Sequence, residues 1–158
     1  MPGRFRIKPA MFQKGRIPLL LLTVVLLACL PSKAEGQCKS FARHLCRPVL
    51  ENFRHDGNYH AAVLEQGEEA ELYKTFFAGQ TYRIAVCGTE DLPDIEFSIL
   101  DNQRNELYNN RTNDYSNTWD FRMEASQQLM VRIKVPPDPP GNKSAAGCVA
   151  ILFGISGR

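Results

Sequence analysis

Five cysteines, three histidines and one acidic cluster are the residues of this 158-residue chain with chemistry to offer. Zinc and thiol redox sites both favour cysteines at C-x-x-C spacing. Here Cys38, Cys46, Cys87 and Cys148 never lie closer than eight residues, so structural disulfides are the stronger reading. His44, His55 and His60 form no H-E-x-x-H array, although His55-Asp56 and His60 share one turn-to-strand region. Gly154-Ile-Ser-Gly157 lacks the following helix that a nucleophile elbow needs. Glu90, Asp91, Asp94 and Glu96 follow a strand and could offer hard oxygen ligands to calcium. A solvated acidic loop is the plainer reading, and no other cofactor is implied.

The N-terminus decides the compartment in which those cysteines are judged. Arg4, Arg6, Lys8, Lys14 and Arg16 precede an uncharged apolar run from Ile17 to Leu30, and small residues Ala34 and Gly36 precede a cut after Gly36. That order is a secretory signal peptide over 1–36, shorter in its apolar core than the roughly 20 residues of a spanning helix. Leu26-Leu27-Ala28-Cys29 offers an alternative, a lipoprotein anchored at Cys29. Removal of 36 residues leaves 122, with 13 Lys+Arg against 16 Asp+Glu. The chain's basicity thus belongs to the leader, and no basic stripe with interleaved aromatics suits nucleic acid. The expected product is secreted or periplasmic, with no membrane span after cleavage and one domain's worth of core.

Segment 37–58 reads as helical or irregular: a short helix from Ser40, broken or restarted near Arg47-Pro48, then the turn cluster His55-Asp-Gly-Asn58. From 59 to 158 the pattern is of short strands. Tyr59–Glu65, Ala70–Phe77, Thr81–Cys87, Ile95–Leu100, Glu106–Tyr108, Thr118–Glu124, Gln128–Val135 and Cys148–Ile155 alternate with period two between turn signals. About eight such strands predict an all-β, antiparallel β-sandwich of jelly-roll type, each sheet with one buried face. Trp119 shares its face with Phe121 and Met123, which points to core packing rather than a ligand platform.

All three connectivities of the four cysteines stay open at this level. Cys87 lies beside Ala85 on its strand and Cys148 beside Ala150, so they could meet across neighbouring strands, leaving Cys38 with Cys46. That second bridge fails if residues 38 to 46 are helical, because eight helical residues separate Cα atoms by about 12 Å against a limit near 7 Å. A helix there requires a crossed connectivity instead.

Phe76-Phe-Ala-Gly-Gln-Thr-Tyr-Arg-Ile-Ala-Val86, Asp94-Ile-Glu-Phe-Ser-Ile-Leu-Asp-Asn102 and Asn105-Glu-Leu107 resemble the bacterial pre-peptidase C-terminal domain over about half of the mature chain. Asn102-Gln-Arg-Asn105 stands in place of that family's glycine turn, and disulfides are not part of its pattern. The resemblance implies a non-catalytic β-sandwich that assists secretion or binds matrix, carbohydrate or protein, in some members with calcium.

The sequence therefore reads as an exported binding module whose partner is an unnamed protein or carbohydrate; a small secreted hydrolase is the alternative. Binding residues are expected on the polar loop 109–117, at Tyr108, Asn110, Arg111, Asp114 and Tyr115, and then on the 89–94 loop. Asn110-Arg-Thr and Asn142-Lys-Ser match the glycosylation sequon, incidental in a bacterial source.

Overall fold

The computed structural model describes residues 33–137 and 144–157. The basic start, the apolar run, Cys29 and Asn142 lie outside them. Among the described residues, nine strands form two antiparallel sheets. Sheet A contains β1 (Phe53–His55), β2 (His60–Glu65), β4 (Thr81–Gly88), β7 (Thr118–Arg122) and β9 (Ala146–Ser156); sheet B contains β3 (Glu69–Phe76), β5 (Glu96–Leu100), β6 (Glu106–Asn109) and β8 (Gln127–Lys134). The β-sandwich predicted from alternation is thus the fold. Its order in sheet A is β9-β4-β7, with β1 and β2 laid end to end along the other side of β9. Sheet B runs β3-β8-β5-β6.

The core lies between the sheets. Tyr82, Ile84 and Val86 from β4, Phe97 and Ile99 from β5, and Leu129, Val131 and Ile133 from β8 meet Val149, Ile151 and Phe153 from β9. One open side of the sandwich, between β6 and β7, is filled by stacked aromatics: Tyr108 on Trp119 at 4.9 Å, and Trp119 on Phe121 at 4.2 Å between ring centres. Trp119 is a packing residue, as its alternation suggested. The turn after β5 is held by Asp101, whose carboxylate accepts from the Gln103 and Asn105 amides and from Asn105 Nδ2. Arg104 takes the positive φ of 66° there.

The helical segment is longer than expected and begins before the expected cut. Helix α1 (Lys33–Phe41) passes Gly36 and continues as a π-helical turn (Ala42–Cys46) and a 3-10 turn (Arg47–Leu50) with Pro48 in its first turn, where proline's missing N–H costs nothing. Cys38, Ala42, Cys46 and Leu50 form a four-residue stripe, all buried. Such a repeat drifts round an α-helix of 3.6 residues per turn. The wider i→i+5 turn winds more slowly and keeps the stripe facing the sheet. Because these side chains are small, the segment lies close on Ala85, Ala150 and Leu152 of the outer face of sheet A.

This geometry overturns the simpler disulfide pairing. Cys38 bonds Cys148 and Cys46 bonds Cys87. Cys87 and Cys148 do share an outer face on neighbouring strands, but Cys87 pairs in register with Ala150, two residues from Cys148. Such diagonal neighbours lie about 7–8 Å apart, beyond easy bridging. The helical run separates Cys38 from Cys46, so each takes one strand cysteine. The segment expected to be helical or irregular over 37–58 also contains a strand. β1 sits over Gly154, where even a Cβ would approach Phe53 Cβ to 2.5 Å. Arg83 on β4 completes the attachment, donating to both carboxylate oxygens of Asp120 at 2.7 and 2.8 Å and to Glu51 at 2.7 Å.

In the chain-entropy model the Cys46–Cys87 loop of 41 residues contributes about 4 kcal/mol and the 110-residue loop about 5 kcal/mol. Non-reducing peptide mapping should recover only the 38–148 and 46–87 linked pairs. The Cys46→Ser, Cys87→Ser double variant should lose about 4 kcal/mol in denaturant unfolding.

Candidate functional site

The two loops singled out by sequence meet at one end of the sandwich. Residues 89–95 leave β4 and residues 110–117 enter β7; between them Thr89, Glu90, Pro93, Asp94, Tyr115 and Asn117 line a polar cleft of about 280 Å³. It adjoins a hollow of about 520 Å³ whose far wall is the helical segment, with Phe41, Leu45 and Val49 facing Glu90, Asp91 and Asn117. Leu45 is 67 % exposed and Tyr115 40 % exposed. The end of the molecule therefore offers apolar side chains beside an acidic rim.

Each loop is fixed from beneath. Thr89 N–H donates to Cys148 O and Leu92 N–H to Thr89 O, both at 3.0 Å, and Leu92 is buried. On the other side Asn110 is 1 % exposed. Its Oδ1 accepts from Phe97 N–H at 2.9 Å, and its Nδ2 donates to Ile95 O at 2.9 Å and Ser116 O at 3.3 Å. Asn110 thus ties both loops together and presents nothing to a partner or to a glycan. Tyr108 is likewise drawn into the aromatic stack, where burial raises its phenol pKa and a Ser116 hydrogen bond opposes the rise. Arg111, Asp114 and Tyr115 remain outside. Asp114 and Tyr115 both hold positive φ, at 50° and 52°, a costly conformation for a tyrosine and one found where surrounding structure holds it.

The four calcium candidates divide. Glu90, Asp91 and Asp94 stay on the loop, whereas Glu96 enters β5 and faces Arg111 at 3.6 Å. No three His, Cys, Asp or Glu side chains converge as a metal set among the described residues.

His44 is exposed. His55 and His60, by contrast, meet Asp56 and Lys74 at the turn that joins β1 to β2. Lys74 Nζ donates to Asp56 Oδ2 at 2.7 Å, and Asn58 N–H to Asp56 Oδ1 at 2.9 Å. Gly57 N–H donates to His55 Nδ1, while His55 Nε2 reaches Asn58 O at 3.1 Å. Those contacts engage both ring nitrogens in shaping the turn and leave neither for chemistry. Lys74 is the residue that sequence reading missed. It breaks the inward stripe Ala70, Leu72, Lys74, Phe76, and a lysine on a core-facing stripe demands a partner. Burial alone pushes the Asp56 carboxyl up, but hydrogen bonds from Lys74 and Asn58 and the Lys74 charge outweigh it and hold it below 3.8. Burial holds His60 below the ordinary 6.5; Asp56 opposes this, while Lys74 and His55 add to it.

Two measurements check this arrangement. Asn110→Ala leaves one buried and two partly buried backbone groups without their partner and should cost about 2–4 kcal/mol in denaturant unfolding. A group whose folded pKa is depressed stabilises fully above its unfolded value and loses that contribution as pH falls. The melting temperature should therefore decline below pH 6.5 through His60 and again below pH 3.8 through Asp56. His60→Phe should flatten only the first decline.

No protein-family model matches the chain, and no curated protein matches it. Among solved structures it is similar to the crystal structure of Aeromonas hydrophila PliG, a periplasmic lysozyme inhibitor of g-type lysozyme. The identity is 11 %, the TM-score 0.49, and the match covers 67 % of this chain and 90 % of that one. That likeness carries no residue role across.

Proposed function

We propose that this chain is an exported, non-catalytic β-sandwich module that captures a protein partner at its loop end. The observation that carries the reading is the junction of the 89–95 loop, the 110–117 loop and the helical segment around one amphipathic, acidic cleft. Export is supported by two disulfides, which persist in oxidising compartments, and by the leader-like 1–36 segment. The pre-peptidase C-terminal resemblance supports a module of the bacterial envelope or extracellular space.

A protein is favoured over a carbohydrate because Tyr108 and Trp119 are taken up by the sandwich edge, so exposed Tyr115 has neither ring beside it to build a stacking platform for a sugar. Exposed Leu45 and Tyr115 offer the apolar anchors on which interface energy concentrates. Glu90, Asp91 and Asp94 select a basic surface by charge complementarity. The hydrolase alternative draws no support from the His55–Asp56 contact, since both ring nitrogens of His55 hold the turn.

The test is capture from envelope and culture extracts by immobilised wild type, Leu45→Glu, Tyr115→Ala and Glu90→Lys/Asp91→Lys proteins. A specific partner should be retained by wild type, weakened about tenfold or more by each variant, and released by salt. The variants should melt within a few degrees of wild type. Equal retention by all four proteins would contradict the assignment of the cleft.

A further inference from the structure

The side of the sandwich opposite the aromatic stack is left open. There the edge strands β2 and β3 face one another, β2 sending His60, Ala62 and Leu64 inward and β3 sending Ala70, Leu72 and Lys74. Where Tyr108, Trp119 and Phe121 close the other side, Ala62 and Ala70 are too short to meet. Ala62 points between the sheets and is nonetheless solvent-exposed. The result is a groove of about 340 Å³ with Ile133, Val149 and Ile151 as its floor.

Its lining is aliphatic except at one end, where Tyr59 and His60 stand, His60 with its ring edge-on to Phe153, 5.7 Å between centres. The His60 backbone belongs to the β2–β9 ladder, and its ring makes no hydrogen bond among the described residues. The charged groups around it, Lys74 and Asp56, are bonded to each other, and the ring nitrogens of His55 are taken up by its own turn. The polar end of the groove therefore has no unpaired charge from Lys74 or Asp56, yet it has an imidazole ready both to donate and to accept.

We propose that this groove binds a single short aliphatic chain bearing an uncharged hydroxyl head, with the chain on the Ala62–Ala70 gap and the hydroxyl on His60. Its size lies at the low end of small-molecule pockets, about 300–1,000 Å³, which suits one chain and excludes a two-tailed lipid. A carboxylate head is acceptor-only and could use just the N–H of the neutral His60 ring, beside an Asp56 already bonded to Lys74, whereas a hydroxyl matches either ring nitrogen as donor or acceptor. The inference is independent of the loop-end cleft and of any protein partner there.

The probes are 1-octanol, octane and octanoate, titrated at pH 7.5 into the whole protein while the methyl signals of Ala62, Ala70 and Leu72 and the His60 ring are followed by NMR. Saturable shifts at these residues are expected with 1-octanol, at an affinity about tenfold above octane or octanoate, the worth of one net hydrogen bond. Ala70→Leu fills the groove and should abolish binding while keeping or raising the melting temperature; Ala62→Leu provides the same test from the other wall. His60→Phe should erase the preference for octanol over octane. No saturable shift up to the solubility limit, or binding undiminished in both filled variants, overturns the site; octanoate binding more tightly than octanol overturns the uncharged head.

Discussion

Cys38 bonded to Cys148 and Cys46 bonded to Cys87 hold a helical segment flat on the outer face of sheet A. Ala85, Ala150 and Leu152 would otherwise face water in the middle of an antiparallel sheet. The crossing matters more than the number of bridges. Two local bridges would have closed the segment on itself and the sheet on itself. The crossed pair binds each end of the segment to a central strand, and the large loops it closes are those that most restrict the unfolded chain.

The loop end inherits its shape from that attachment. Cys46 is bound beside Gly88 and Thr89, so Leu45 and Val49 become a wall of the hollow that Glu90 and Asp91 border on the other side. Asn110 performs the corresponding task across the sandwich, replacing a strand pairing with three side-chain bonds to backbone. The exposed residues, Leu45, Tyr115 and the acidic rim, rest on buried polar and covalent contacts that fix the loops before any partner arrives. Preorganisation of this kind lowers the ordering cost of binding.

Much of the sandwich was legible because alternation is a two-residue signal that one wet face makes visible. β3, β7 and β8 were bounded within a residue or two by it. The placement of binding residues was legible only as far as the loops. Asn110 and Arg111 are neighbours of similar polarity, and nothing local reveals that one is buried as a three-bond anchor while the other is exposed. The disulfide pairing depended on whether 38–46 was helical, and the stripe Cys38, Ala42, Cys46, Leu50 held that information at a spacing of four. β1 escaped notice because three residues are too few to show a period. Lys74 left a visible trace, a charge on an apolar stripe, but its partner Asp56 lay in a turn whose position only the fold supplies.

The dependence of the loop-end cleft on the crossed disulfides is tested most directly by hydrogen–deuterium exchange, comparing the oxidised protein with the Cys46→Ser, Cys87→Ser variant under native conditions. The amides of Thr89 and Leu92 are hydrogen-bonded in the folded protein. With the bridge removed, they should lose protection together with residues 42–50, while β5 and β8 in sheet B keep theirs. Detachment of residues 42–50 with Thr89 and Leu92 still protected would show that the cleft stands without the brace and would contradict the account.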